Sequence, residues 1–199
     1  MKKLILATLA GLLISSNITL AQTTMSSLAT SINANLAPPG SYVGIGIGLR
    51  PRYLRIENAL AELVKQNGGS NITPDMALDA TARAALPTLP ANATNDEKTK
   101  ARDAYLRSAT YSDDVVAECN DVFAGAPAEH AGIKQFDQIV AVNNKPITGL
   151  DAAGLVKLLK GGGAAGSRVA ITVLRAEKDG SKSSHTYTIV RGNVVPPIH

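Results

Sequence analysis

Glycine alternates with bulky aliphatic residues along residues 42–49, which read YVGIGIGL. On an extended strand, such alternation places large side chains on one face and leaves the other face bare. A bare strand face indicates that something approaches the backbone closely, whether a ligand or another chain. The alternative is a glycine-rich buried strand without a ligand, and this stretch by itself does not separate the two interpretations.

The N-terminus has the pattern of a secretory signal peptide. Lys2 and Lys3 precede an apolar run over residues 4–14, and small residues precede a cleavage site after Ala21. The apolar run is shorter than the roughly 20 residues that a spanning helix needs, although an N-terminal membrane anchor is the alternative. We therefore expect residues 1–21 to be removed and the mature chain to be periplasmic or secreted, without stable membrane insertion.

Composition limits what the exported chain can be. The full sequence of 199 residues suffices for one domain with an appendage, and its formal charge falls from +4 to +2 once Lys2 and Lys3 are removed. Basic and acidic residues are interspersed, so we expect no nucleic-acid partner. The single cysteine, Cys119, excludes an internal disulfide and is interpreted as a buried small hydrophobe.

The order of elements predicts an α+β fold that is mainly β. Residues 22–40 form a flexible lead-in, and a first strand runs to about Arg50. Three helices are then predicted within residues 51–112, the second with Thr73 as its cap and Pro74 at its first position, and the third opening with capping-box spacing at Thr94. Short strands and two helices follow to residue 193, and residues 194–199 form a tail. This pattern predicts a small open β-barrel with two capping helices, plus a helical insertion between the first two strands.

Residues 124–144, AGAPAEHAGIKQFDQIVAVNN, resemble the core of bacterial PDZ domains, in which a Pro-Ala segment, an Ala-Gly pair, Gly-Asp and Val-Asn-Gly follow in order. The resemblance continues in order through residues 146–150, the helix that ends at residues 158–161, and the strand 169–175. The opening glycine stretch corresponds to the "GLGF"-like loop of that family. The chain is most similar to the PDZ module of C-terminal processing peptidases, over residues 42–50 and 113–193.

Three departures accompany this resemblance. Residues 51–112 stand where the family has a tight hairpin, and Phe136 stands where the family commonly has a glycine that turns the chain. Because a bulky residue tolerates a positive φ poorly, we expect the loop at Phe136 to differ in shape. The peptidase domain of the family, with its Ser–Lys pair, has no counterpart in the chain.

The resemblance implies that a ligand's C-terminal segment adds as a strand beside the glycine stretch. Backbone N–H groups of the loop would then receive the terminal carboxylate, and the second long helix would form the opposite wall. Ala152 stands where PDZ domains that prefer a hydroxyl often have His, so an apolar free C-terminus such as Val, Leu or Ala is expected. The residues implied to bind peptide are Gly44, Ile45, Gly46, Ile47, Ala152, Val156 and Leu159.

The sequence gives little support for catalysis, a cofactor or a metal. His130, His185 and His199 lack the spacing of metal ligands, and neither Ser41 nor Cys119 lies in a nucleophile motif. The predicted function is therefore non-catalytic binding of peptide or protein C-termini, possible roles being an adaptor or regulator of an extracytoplasmic protease or envelope complex. Two alternatives are a scaffolding protein whose groove is covered by its own insertion, and a non-catalytic subunit or remnant of a processing peptidase.

Overall fold

The computed structural model of the chain describes residues 42–68, 72–162 and 164–196. These fall into two compact units: residues 55–107, and residues 42–54 together with 108–196. The predicted signal peptide, the flexible lead-in and the last three residues of the tail lie outside the described residues.

The described residues form eight strands and five helices, and all the strands belong to the unit that contains residues 42–54. The elements in chain order are strands β1 (Tyr42–Gly44) and β2 (Ile47–Tyr53), helices α1 (Leu54–Gln66), α2 (Pro74–Ala85) and α3 (Asn95–Ser108), strand β3 (Val115–Val122), helix α4 (Pro127–Ala131), strands β4 (Gln138–Val142) and β5 (Lys145–Pro146), helix α5 (Ala152–Lys160), and strands β6 (Arg168–Ala176), β7 (Lys182–Val190) and β8 (Gly192–Val194). All strand pairings are antiparallel.

Two sheets are present among the described residues. The larger one has the strand order β2-β3-β4-β6-β7, with β5 beside β4, and the smaller one pairs β1 with β8. The larger sheet is open, because its end strands β2 and β7 are not paired with each other. The predicted α+β fold, with an open sheet of short strands and a helical insertion, is confirmed.

The core of this unit follows the alternation read from the sequence. Val169, Ile171 and Val173 on β6 are fully buried, and so is Leu155 on α5. Burying each such aliphatic side chain contributes roughly 1.5–3 kcal/mol relative to leaving it in water. Alternating burial along β6 therefore defines which face of the sheet is turned towards the core.

The helical unit is organised by the caps that the sequence predicts. The Thr73 hydroxyl accepts a hydrogen bond from the Met76 N–H at 3.3 Å. Thr94 and Glu97 form a capping box, in which the Glu97 carboxylate accepts from the Thr94 N–H at 2.7 Å and the Glu97 N–H donates to the Thr94 hydroxyl at 3.3 Å. Each cap satisfies N–H groups that a helix start leaves without a partner, so the predicted starts of α2 and α3 match the structure.

The glycine stretch, which the sequence predicts as one strand, is divided in two. β1 pairs with β8, whereas β2 pairs with β3, and the chain turns between them at Gly46, whose φ is +77°. β2 continues to Tyr53 and α1 begins at the next residue. The helical insertion therefore begins later than predicted and lies between β2 and β3.

Candidate peptide-binding edge

The bare face of the glycine stretch is filled by the chain's own atoms. A Cβ placed on Gly44 would lie 2.5 Å from Cε2 of Tyr42, and one on Gly46 would lie 2.2 Å from Cβ of Ala126. At Gly48 the nearest atom would be Oδ1 of Asn120, at 3.0 Å. The distance at Gly46 leaves no room for a side chain, whereas a side chain at Gly44 or Gly48 would require the Tyr42 ring or the Asn120 amide to shift. Intramolecular packing therefore explains the alternation, without an approaching ligand.

The turn at Gly46 is fixed to the start of α4. The Ala128 N–H, in the first turn of α4, donates to the Ile45 carbonyl at 2.8 Å, and the Phe123 N–H donates to the Gly46 carbonyl at 3.0 Å. Ala126, the N-cap of α4, offers no side-chain hydrogen bond. The turn thus supplies an acceptor that the first turn of this helix needs.

The same two hydrogen bonds define where the loop amides point. In a trans peptide unit, the carbonyl and the following N–H point in opposite directions, and no described peptide bond is cis. Because the Ile45 and Gly46 carbonyls point towards residues 123–128, the N–H groups of Gly46 and Ile47 point away from them. Two adjacent donors are therefore directed to the same side of the loop.

β2 presents backbone groups at the edge of the larger sheet. The Cys119 N–H donates to the Asp137 carbonyl at 2.8 Å, and the Cys119 carbonyl accepts from the Phe136 N–H at 2.7 Å. Cys119 therefore bonds away from β2, and its partner Leu49 is in a non-hydrogen-bonded pair. Consequently the N–H and C=O of Leu49 point outward. The register shifts between Gly48 and Leu49 because Asn120 is an extra residue on β3, so the alternation along β2 itself continues to Ile47. The bond from the Phe123 N–H to the Gly46 carbonyl agrees with an outward Ile47 N–H.

The three predicted helix residues lie on α5 but differ in burial. Leu159 is 5% exposed and belongs to the core, whereas Ala152 and Val156 are partly exposed. Asp151 caps the start of α5 by accepting from the Gly154 N–H at 2.7 Å. At the other end, buried Arg191 donates through Nε to the Leu159 carbonyl at 2.7 Å. The helix is thus held at both ends.

One contact brings the end of α5 to the start of the glycine stretch. Nζ of Lys160 lies 5.7 Å from the ring centroid of Tyr42, and this ring packs against Gly44. Burial raises the pKa of the Tyr42 hydroxyl above its ordinary value, so this group stays neutral at physiological pH. The contact links β1 to the C-terminal end of α5, while Ala152 lies at the opposite end of that helix.

The chain turns at Phe136 through a positive φ, which the bulky side chain was expected to disfavour. Phe136 has a φ of 71° and its side chain is 57% exposed. The next residue, Asp137, is 1% exposed and accepts two hydrogen bonds from Arg175, from Nε at 2.8 Å and from Nη2 at 2.7 Å. Nη2 also donates to the Gly132 carbonyl at 2.9 Å. Arg175, the ionic partner of Asp137, lies on β6, and the sequence did not reveal this pair.

Ser183 and His185, both on β7, form a polar cluster with Glu177 that the sequence did not reveal. Nε2 of His185 lies 2.7 Å from the Ser183 hydroxyl, which also donates to the Glu177 carboxylate. In a Ser-His-acid relay, the carboxylate holds the other ring nitrogen of the histidine. Here Glu177 lies 3.8 Å from Nε2 itself, so this arrangement does not orient the imidazole as a general base.

The described residues offer neither a membrane-spanning helix nor a metal-binding cluster. None of their helices is long and apolar enough to cross a membrane. Among these same residues, no three His, Cys, Asp or Glu side chains are grouped so that they could hold a metal ion.

A domain with an open antiparallel sheet, a glycine turn fixed to a short helix and an edge strand without a second neighbour among the described residues resembles modules that bind extended peptides. The sequence model of the PDZ domain family matches residues 120–175. The PDZ domain recognised in the sequence is thus confirmed over these residues, which contain α4, β4, β5, α5 and most of β6. PDZ domains are binding modules.

Three solved structures contain similar chains. The PDZ domain of a carboxy-terminal protease from Vibrio cholerae, in complex with peptide, is 28% identical, covers 43% of this chain and 90% of its own, and has a TM-score of 0.36. A PDZ domain protein from Parabacteroides distasonis is 22% identical, with coverage of 40% and 16% and a TM-score of 0.33. The photosystem II D1 C-terminal processing protease is 18% identical, with coverage of 73% and 44% and a TM-score of 0.37. The chain thus spans less than half of the two longer proteins, and the family match identifies the domain.

Proposed function

We propose that the chain binds the free C-terminus of a peptide or protein, which adds as a strand to the outer edge of β2. The observation that carries this proposal is the row of backbone groups that Ile47 and Leu49 direct outward from the end of the larger sheet. An unpaired strand edge is a template for another strand. In this mode, main-chain hydrogen bonds supply affinity and alternate side-chain pockets supply specificity.

The direction of the backbone groups defines a register for the ligand. Its last residue would pair with Ile47 and its third-last residue with Leu49, since these residues present both donor and acceptor outward. The terminal carboxylate would then meet the N–H groups of Gly46 and Ile47. Converging amides form an anion-binding nest, and hydrogen bonds to a charged acceptor are worth about 1.5–3 kcal/mol each.

An apolar last residue suits the side chains around this register. Ile47 and Val156 are partly exposed, whereas Ile45 and Leu159 are buried at 3% and 5%. The PDZ resemblance places Val156 and Leu159 along the wall opposite β2. Ala152 offers no hydrogen bond to a ligand hydroxyl. We therefore propose a preference for Val, Leu or Ala at the free C-terminus.

We also propose that the protein acts outside the cytoplasm and without catalysis, as an adaptor or regulator of a protease or envelope complex. The support is the charged and apolar N-terminal pattern with small residues before Gln22. Mass spectrometry of the N-terminus, on protein from extracytoplasmic and cytoplasmic fractions, checks the export. An extracytoplasmic chain that begins at Gln22 agrees with it, whereas a cytoplasmic chain that retains Lys2 and Lys3 contradicts it.

Titration with matched peptides tests the binding function. A peptide that ends in valine with a free carboxylate is compared with the same peptide amidated at its C-terminus. Loss of the charged acceptor should weaken binding at least tenfold, since one charge-assisted hydrogen bond exceeds about 1.4 kcal/mol. Equal affinity of the two peptides would refute the role of the loop amides.

A further inference from the structure

A proline interrupts the row of outward-facing groups on β2. Pro51 pairs with Ala117 of β3, two residues beyond the pair formed by Leu49 and Cys119. Because strand groups alternate in direction, the nitrogen and carbonyl of Pro51 point outward, as those of Leu49 do. A proline has no N–H, so at this point the edge offers an acceptor without a donor.

The same geometry explains why β2 tolerates this residue. Proline occurs in strands where its nitrogen faces away from the neighbouring strand, because no ladder hydrogen bond is then lost. Towards a strand that adds from outside, however, the ring places its Cδ where a donated hydrogen would be. A ligand carbonyl directed at Pro51 therefore finds carbon in place of a donor.

We infer that Pro51 ends strand addition, so that the edge reads only about the last four residues of its ligand; this inference rests on the proposed function. With the last residue opposite Ile47 and the third-last opposite Leu49, the fifth-last residue falls opposite Pro51. Its carbonyl would lose its hydrogen bond to water and gain none from the protein, and leaving a polar group unsatisfied is unfavourable. The ligand thus leaves the sheet upstream of its fourth-last residue.

Two arginines on either side of Pro51 keep the edge in this register. Nε of Arg50 donates to Oε1 of Glu118 at 2.9 Å, and Nη1 of Arg52 donates to Oε2 of the same carboxylate at 2.8 Å. The Glu118 side chain is 3% exposed, so its charge is held by these partners away from solvent. Breaking such a buried arrangement is costly. β2 is therefore fixed on β3 at the level of Pro51 and does not shift by one residue to present another donor.

A length series tests this inference. The probes are N-acetylated peptides that end in Ser-Ala-Val with a free carboxylate and are lengthened upstream with alanine from three to eight residues. On the wild-type protein, affinity should rise up to four residues and then change by less than about twofold. Pro51→Thr restores a donor in a β-prone residue, so its affinity should rise by a further factor of about five between four and six residues, the value of one net hydrogen bond.

Pro146→Thr is the matched control, since Pro146 lies on β5, is exposed, and pairs with Ala141 of β4. It should retain the wild-type length dependence. Wild-type affinity that rises fivefold or more between four and six residues, or a Pro51→Thr profile identical to that of the wild type, overturns the inference. If free and amidated peptides bind equally or no length binds, the proposed function itself fails.

A second measurement keeps the inference testable if Pro51→Thr does not fold. In an eight-residue probe on the wild-type protein, replacing the amide N–H of the third-last residue by an ester oxygen should weaken binding about fivefold, because the Leu49 carbonyl no longer receives a hydrogen bond from the ligand. The same replacement at the fifth-last residue should leave the affinity within twofold. Equal losses at the two positions would show that strand addition continues past Pro51.

Discussion

Gly46→Ala is expected to lower the free energy of unfolding by about 2–5 kcal/mol. Gly46 has a φ of +77°, a conformation that costs an L-residue roughly 1–2 kcal/mol. The added methyl would lie 2.2 Å from Cβ of Ala126, and forcing an extra carbon into a packed site costs typically 1–3 kcal/mol. Urea denaturation followed by far-ultraviolet circular dichroism and tyrosine fluorescence measures the change, since the chain has no tryptophan.

Two companion variants separate the conformational cost from the steric one. Gly125 has a φ of +72°, but a Cβ placed there would meet nothing within 4 Å, so Gly125→Ala should lose only about 1–2 kcal/mol. Ala126→Gly removes the atom that clashes, and glycine is preferred to alanine at an N-cap. Added to Gly46→Ala, it should recover about 1–3 kcal/mol in a double-mutant cycle. Equal losses for Gly46→Ala and Gly125→Ala, together with no recovery, would refute the explanation of the glycine turn by packing against Ala126.

Three further predictions concern charged and reactive groups. Asp137→Ala should destabilise the chain by about 3–5 kcal/mol in a urea titration, because it leaves the Arg175 guanidinium without its buried carboxylate. Asp113→Ala, at an exposed position, is the control and should change stability by less than about 0.5 kcal/mol. Similar losses for the two variants would contradict this role of Asp137. Hydrogen bonds from Arg83 and Lys98 lower the pKa of Asp79 to about 2, so the carboxylate stabilises the fold above pH 4 and loses this effect as the pH falls towards 2. Asp79→Asn should therefore cost less than about 1 kcal/mol at pH 7 and progressively less as the pH falls from 4 to 2, and a cost that does not shrink over this range would exclude the ionised pair as its source. Burial raises the pKa of the Cys119 thiol to about 12, so Ellman's reagent at pH 8 should label the native protein slowly and the urea-unfolded protein completely; rapid native labelling would show that this thiol is accessible.

The helical unit was predictable because its signals are local. Two helix starts are defined by hydrogen bonds that span only three residues, one to the Thr73 hydroxyl and one to the Thr94 hydroxyl. The PDZ segment around Pro127 was recognisable for a similar reason, since its short motifs follow one another in order along the chain.

The edge of β2 was less predictable because its features depend on distant partners. The break at Gly46 is caused by the close approach of Ala126, and the inward or outward direction of each backbone group depends on the bonds that Cys119 makes with the turn before β4. Pro51 was assigned to the insertion, so its place on the edge strand was missed. The Asp137–Arg175 pair joins residues 38 positions apart, a separation at which single-sequence patterns carry little information.

The most direct measurement of the central claim is the response of the loop amides to a bound carboxylate. In ¹H–¹⁵N spectra, a peptide with a free C-terminal valine should move the amide protons of Gly46 and Ile47 downfield, because each donates to a charged oxygen. The amidated peptide at the same concentration should leave both resonances nearly unchanged. Identical shifts with the two peptides, or shifts confined to residues far from the turn, would contradict binding of a C-terminus at this edge.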